Sequence, residues 1–374
     1  MTDIHVIFFA TGPSGIHQTY MQTANAGESQ GSTTSFHAGL RNAVFAFLKN
    51  NSLSPIDEKG LMRKAIINYA MWFTLYAAYL FIGANYGWYA LLMVVPVAFA
   101  MLCIVLSVMH DGSHGSFSNS KILNNIASYS LGFAGGSNVL WHQLHVRAHH
   151  DHTNVIGHDQ DFESGGLIRL HPAQAKHPAH RFQRFYAWFL YMGHSLRWIL
   201  FDDIKDYFTH RWPLNKEQRK TLLLELIFAK TWHITSYLII PALVTGSWQI
   251  ALTFYLIHWM LLSAALILIF AMAHLTEVQT MPANKEEGNR DWAMHQIATT
   301  VDFATKNKVL SWIVGGLNFQ IEHHIFPKIS HTRYHLIQPI VKEYCAQHGV
   351  RYFEYPTFRA VLAGHYRHLK MLGT

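Results

Sequence analysis

The sequence predicts an all-α integral membrane protein, with four transmembrane helices in two hairpins and a cytosolic helical cap carrying a histidine-rich diiron site. Three observations predict it. Half of the 374 residues are hydrophobic and only 14% are charged, which argues against an ordinary soluble enzyme. Two stretches, Ala65–His110 and Thr231–Thr276, run for 46 residues each without Asp, Glu, Lys or Arg. Histidine occurs 27 times against 22 carboxylates, while the two cysteines, Cys103 and Cys345, are too few for a disulfide framework. Imidazole, not thiolate, must carry any metal chemistry.

From the N-terminus, the short apolar stretch Ile4 to Ala10 follows Asp3 with no basic region and runs into Gly12-Pro13-Ser14-Gly15, a poor signal peptide. Residues 1–34 read as a flexible extension, rich in Gly, Ser, Thr, Gln and Asn over 11–33; residues 35–374 form the one remaining domain. Residues 36–50 and 55–64 predict short amphipathic helices leading to the membrane. A bilayer core of about 30 Å needs roughly 20 helical residues, so each charge-free run makes two crossings and a turn. Asn85-Tyr86-Gly87 splits the first run and Gly246-Ser247-Trp248-Gln249 the second, with Tyr86, Trp88 and Trp248 where interfacial aromatics sit. The expected spans lie near 66–84, 88–109, 229–246 and 249–273. Residues 182–201, rich in Phe, Tyr, Trp and Leu, predict a helix on the membrane surface.

Two hairpins return the chain to its starting side, so both termini, the loop 111–226 and the tail from 277 share one face. That loop carries twelve Lys or Arg and the opposite turns none, the cytoplasmic signature. The formal charge of +7 is therefore mostly topological and implies no nucleic-acid partner. There is no Gly-rich phosphate loop and no repeat beyond the paired hairpins.

The histidines fall in clusters at the ends of spans. His110 and His114 stand i,i+4 where the second span reaches the cytosol. His145 and His149 share a helix face, with His150 turned by about 100° toward a second metal. Gln320 and His324 repeat the i,i+4 pattern, with His323 offset, and His274 closes the fourth span. No cysteine is available, the imidazoles are too many for one tetrahedral site, and two His-His pairs suggest two centres, so two irons fit better than zinc. Of the flanking groups, His142, His152 and His158 are read as loop histidines or outer partners of the ligands. Asp111, Asp159, Asp161, Glu277 and Glu322 are acceptors available to orient imidazoles, a solvated carboxylate being as good a reading for Asp159 and Asp161. His233 and His258 lie inside spans, either functional or bonded to a neighbouring helix. Positive-inside bias accounts for Arg181, Arg184 and Arg197 without a coenzyme A phosphate.

His110-Asp111-Gly112-Ser113-His114, the run from His145 through His150 to Asn154, and Gln320-Ile321-Glu322-His323-His324 resemble the three histidine boxes of the membrane fatty acid desaturases. The glutamine of the third box resembles the front-end and linoleoyl-coenzyme A branch. The likeness runs from about residue 35 to the end, including Gly157-His158-Asp159-Gln160-Asp161 and the tail Phe326-Pro327-Lys328-Ile329-Ser330-His331. The resemblance implies iron ligation by His110, His114, His145, His149, His150, His274, His323 and His324, with Gln320 where many relatives have histidine. It departs at Phe270, where relatives that bind a water carry Asn, and in lacking a fused haem domain with an HPGG motif. The function implied is an oxygen-dependent acyl desaturase acting on an acyl-coenzyme A or acyl lipid, its electrons coming from an external ferredoxin or cytochrome and its reductase. A diiron hydroxylase or ketolase is the rival. A histidine-rich metal transporter fits less well, because transporters place ionisable ligands at the midplane.

Overall fold

A computed structural model of the chain describes residues 35–160, 164–284 and 291–374. The expected flexible extension 1–34, and Asp161, lie outside the described residues. Helix α1 (Phe36–Asn50) forms as expected, burying Phe36, Leu40, Val44 and Leu48 at helical spacing. The second short helix does not form as a separate element. Asp57 precedes one helix, α2 (Glu58–Tyr86), that absorbs residues 58–64 into the first apolar run, since nothing between Glu58 and Ala65 breaks a helix.

Three helical segments are long and apolar enough to cross a membrane among the described residues: Glu58–His114, Lys216–Thr245 and Trp248–His274. The first is not straight. Gly87, at φ 57° and ψ −118°, ends α2 in a conformation that side chains rarely adopt. A tight 3₁₀ stretch, Gly87–Met93, leads to α3 (Val94–Ile104), and Asn68 Nδ2 donates to the Cys103 carbonyl at 3.2 Å, so α3 runs back alongside α2. The chain then passes through a π-type segment, Val105–Met109, closed by the His110 N–H on the Val105 carbonyl, into α4 (His110–His114). Helix α5 (Lys121–Ser128) packs on α4 at Gly112, where a Cβ would meet the Ser128 nitrogen at 2.5 Å.

Helix α6 (Asn138–Trp141) continues as a second π-type segment, His142–His149, in which the His150 N–H reaches the His145 carbonyl. Helix α7 (Gln183–Arg197) differs from the expected surface helix. Its Ala187, Tyr191 and Ser195 face is buried, and Ser263 of α11 (Trp248–His274) accepts from the Ser195 N–H at 2.9 Å and donates to the Tyr191 carbonyl at 2.5 Å. Small residues let α7 lie along α11, while Phe185 and Phe189 stay exposed on its other side. Helix α8 (Asp203–Phe208) is tied to α9 (Lys216–Ile234) by Lys230 on Asp203 at 2.8 Å. After another π-type segment, Thr235–Ile239, and α10 (Ile240–Thr245), Gly246 turns at φ 63° and Ser247 caps α11.

The C-terminal part is a second layer. Helices α12 (Trp292–Thr299), α13 (Lys308–Ile313), α14 (Gln320–Ile325), α15 (Tyr334–Gln347) and α16 (Phe358–Gly373) surround a two-residue parallel pairing of β1 (Asp302–Phe303) with β2 (Glu354–Tyr355). Asp302 is wholly buried. It accepts from the Ile321 N–H at 3.0 Å and from Gln338 at 2.8 Å, which fixes the start of α14.

Gly315, at φ 61°, sits where a Cβ would lie 2.0 Å from the Leu106 carbonyl oxygen, in the π-type segment before α4. Backbone cannot yield there. Gly315→Ala is expected to abolish monodisperse protein in size-exclusion chromatography. Gly165→Ala, also at positive φ (63°) but with open space around it, bears only the left-handed strain of about 1–2 kcal/mol and leaves the elution profile unchanged.

Candidate metal centre

Eight imidazoles from four separate segments converge in a dry interior. Helix α4 supplies His110 and His114, the second π-type segment and its end supply His145, His149 and His150, the last residue of α11 is His274, and α14 supplies His323 and His324. Ligand atoms of His110, His114, His145 and His323 lie within 4.8 Å of one another. Those of His149, His274 and His324 form a second such group, and those of His150, His323 and His324 a third that links them. His110 Nε2 lies 3.1 Å from His145 Nε2, and His323 Nε2 lies 3.1 Å from His150 Nε2.

Burial pushes the His145, His150, His323 and His324 imidazoles well below their ordinary pKa, and the neighbouring imidazoles push the same way. They are neutral, with lone pairs available. Nε2 of His114, Nε2 of His324 and Oε1 of Gln320 are buried with no hydrogen-bond partner, an arrangement costing about 1–3 kcal/mol per group unless something binds there. Metal ions fit that demand: the donors are neutral nitrogens with one amide oxygen, a set suited to borderline metals, and they exceed a single tetrahedral shell.

Gln320 is placed beside His274, its Nε2 at 2.9 Å from His274 Nε2. As the one-face reading of His145 and His149 expects, their rings stack 5.3 Å apart; their ligand atoms fall in different groups, His145 with His110, His114 and His323, and His149 with His274 and His324. His142, His152 and His158 join none of these groups. Inside the spans, His233 Nε2 meets the Tyr255 hydroxyl at 2.9 Å, from α9 to α11. His258, packed by Phe254 and Tyr237, has both ring nitrogens buried without a partner.

The expected carboxylate partners divide. Asp159 Oδ2 lies 2.9 Å from His149 Nδ1 and also accepts from the Asn154 N–H at 2.8 Å. Asn154, at φ 60°, donates from Nδ2 to the His274 carbonyl at 3.0 Å, joining the second box to the end of α11. Asp111 instead holds His331 Nδ1 at 2.6 Å, while Lys64 donates to His331 Nε2 at 2.9 Å. Glu277 pairs outward with Arg367. Glu322 faces Asp302 and Tyr352; burial and the Asp302 charge raise its pKa well above the carboxylate range. Arg181 and Arg184 stack on Phe182 and Phe185, and Arg197 pairs with Asp202 at 2.9 Å. Sequence reading missed three groups at the site. Tyr334 lies 3.2 Å from His323 Nδ1, Gln296 lies 2.8 Å from His324 Nδ1, and Thr153 bonds to Gln296. None lies in a box except Thr153, and no spacing rule points to them.

On the side toward the apolar helices, Trp141 stacks on His145 at 4.4 Å and donates to Ser113, while Phe270 stands 5.9 Å from His145 and 6.5 Å from Trp141. The Trp141 and Phe270 rings thus both adjoin His145.

The chain matches the family model described as fatty acid desaturase over residues 86–356. It is 30% identical to the sn-1 linoleoyl-lipid 6-desaturase of Arthrospira platensis over 91% of this chain and 94% of that one. It is 31% identical to the enzyme of the same name from Synechocystis sp., covering 90% and 95%. With the acyl-lipid (8-3)-desaturase of Physcomitrium patens it shares 30% identity over 90% of this chain and 72% of the relative.

The His149–Asp159 contact generates a direct test. Asp159→Asn removes the carboxylate behind His149, and metal affinity is expected to fall about 10–100-fold, measured by competition with a chelator. The variant should keep its helical circular dichroism.

Proposed function

The chain belongs to the fatty acid desaturase family and is an acyl desaturase, and we propose that it forms a cis double bond in a lipid-linked acyl chain, using two irons, dioxygen and two external electrons. The convergence of eight buried imidazoles, with Nε2 of His114 and Nε2 of His324 left without a hydrogen-bond partner, carries this reading. The residues assigned to the irons are His110, His114, His145, His149, His150, His274, His323, His324 and Gln320. When bound, the irons supply the oxidising power to remove hydrogen from an unactivated methylene. The protein's own residues do the rest. Neutral imidazoles hold the metals without adding charge to a dry site, and Asp159, Gln296 and Tyr334 orient three of them. Trp141 and Phe270, whose rings adjoin His145, are the groups proposed to keep water away and to position the methylenes, because only position distinguishes one methylene from the next.

The lipid-linked substrate follows from the relatives named as acting on linoleoyl-lipid and acyl-lipid chains. The same names favour desaturation over hydroxylation. Separate ferredoxin or cytochrome, with a reductase, is the proposed electron source. For topology, the break at Gly87 and the Asn68–Cys103 bond support reading Glu58–His114 as two crossings. Four spans in two hairpins then leave both termini and the metal centre on the cytoplasmic face, the side of the basic loop.

Expression in a host fed linoleic acid, followed by mass spectrometry of its fatty acids, is expected to reveal one additional cis double bond; an accumulating hydroxy acid in its place would refute desaturation. Gln320→His should retain iron and part of the activity, whereas Gln320→Ala should lose activity while still inserting in the membrane. Full activity of Gln320→Ala would remove Gln320 from the ligand set. Reporter fusions at Thr374 and in the 246–249 turn should report opposite sides, and identical results would break the four-span topology.

A further inference from the structure

We propose that Gln296 is a positioning residue that sets the tautomer of His324, so that His324 Nε2 faces the metal centre as a lone pair. The chain of bonds leaves one solution. Gln296 is wholly buried on α12. Its Nε2 lies 3.0 Å from the His150 carbonyl oxygen, an atom that only accepts. The amide nitrogen must therefore be the group at that position, and reversing the amide would set two oxygens against each other. With the nitrogen fixed, Oε1 is the atom 2.8 Å from His324 Nδ1. An oxygen there accepts, so Nδ1 carries the proton of the neutral ring. Nε2 is then left without one, and it is the atom of His324 that is buried with no partner.

Thr153 supports the arrangement. Its hydroxyl lies 2.8 Å from the His149 carbonyl, 2.9 Å from Gln296 Oε1 and 3.3 Å from His324 Nδ1, and its carbonyl lies 3.0 Å from His295 Nε2. The backbone of the second box thereby dictates, through one side chain of α12, how a ligand of the third box presents its nitrogen. Without Gln296 the ring is free to take the other tautomer, with a hydrogen on the atom that has to bind metal. Glutamate at 296, protonated on the oxygen that takes the place of Nε2, still donates to the His150 carbonyl and retains an oxygen facing His324, whereas leucine retains the bulk and removes the acceptor.

The inference rests on His324 being a ligand, and the test separates the two. Gln296→Leu, Gln296→Glu and His324→Ala are purified as full chains in detergent, with iron counted by mass spectrometry and the melting temperature of each iron-stripped protein measured. Expected are a fall from about two irons to about one in Gln296→Leu and His324→Ala, retention in Gln296→Glu, and similar melting temperatures for the stripped Gln296→Leu and parent chains. If His324→Ala loses iron but Gln296→Leu keeps the full complement, the positioning role is wrong while the ligand stands. If Gln296→Glu loses as much iron as Gln296→Leu and both stripped variants melt lower than the parent, Gln296 is merely structural. Full iron in His324→Ala overturns the ligand assignment and this inference with it.

Discussion

A neutral imidazole has one nitrogen that donates and one that accepts, and burying either without a partner costs free energy. Eight imidazoles packed within a few ångströms make that the constraint on which the site depends. A ring held on its far side by a fixed partner presents its other nitrogen inward. The partners come from remote sequence: Asp159 ten residues beyond His149, Gln296 on α12, Tyr334 on α15. Those partners need fixing in turn, which is why Asn154 donates to Asp159 and Asp302 pins the start of α14. The surrounding helices serve to keep these second partners still.

Burial also bears on the choice of imidazole. Taking a charged group out of water costs free energy unless it is paired, and burial together with the Asp302 charge pushes the Glu322 carboxyl well above the carboxylate range. A neutral donor avoids that cost and still binds metal, so a site at the foot of apolar helices selects histidine. Glu322 is kept as an acid facing Asp302 and Tyr352, away from the ligand groups. The same economy governs charges elsewhere: buried Lys64 is held between the Trp312 carbonyl and His331, which bonds to Asp111.

Much of this was legible in the sequence, for physical reasons. Absence of charge over 46 residues is a direct statement about solvent, and the boxes and the end of the fourth span are local features, so His110, His114, His145, His149, His150, His274, His323 and His324, which the structure brings together, could be named from position alone. Contacts between segments were not legible. Nothing in the order of residues places His331 on Asp111, 220 positions earlier, or Gln296 on His324. Residues 182–201 read as a surface helix because its aromatic content dominates its composition. The small and polar face of Ala187, Tyr191 and Ser195, which turns it onto α11, is visible only once Ser263 is seen opposite.

Helical position explains which histidines share a face and leaves open which of them share a group. His145 and His149 stand on one face with their rings stacked, yet His145 groups with His110, His114 and His323 while His149 groups with His274 and His324. The segment that carries them bonds i→i+5. Another π-type segment, Val105–Met109, immediately precedes His110 and leaves the Leu106 carbonyl against Gly315, five residues before Gln320 opens the third box. Irregular turns thus stand at both places where a box enters from a helix. Adjacent residues such as His149 and His150 already point to different sides of a helix. A widened turn shifts where those sides point without breaking the backbone bonding that an apolar environment demands. Sequence periodicity does not reveal it, because the residues that form a π-type turn are the same ones that would form an α-helix.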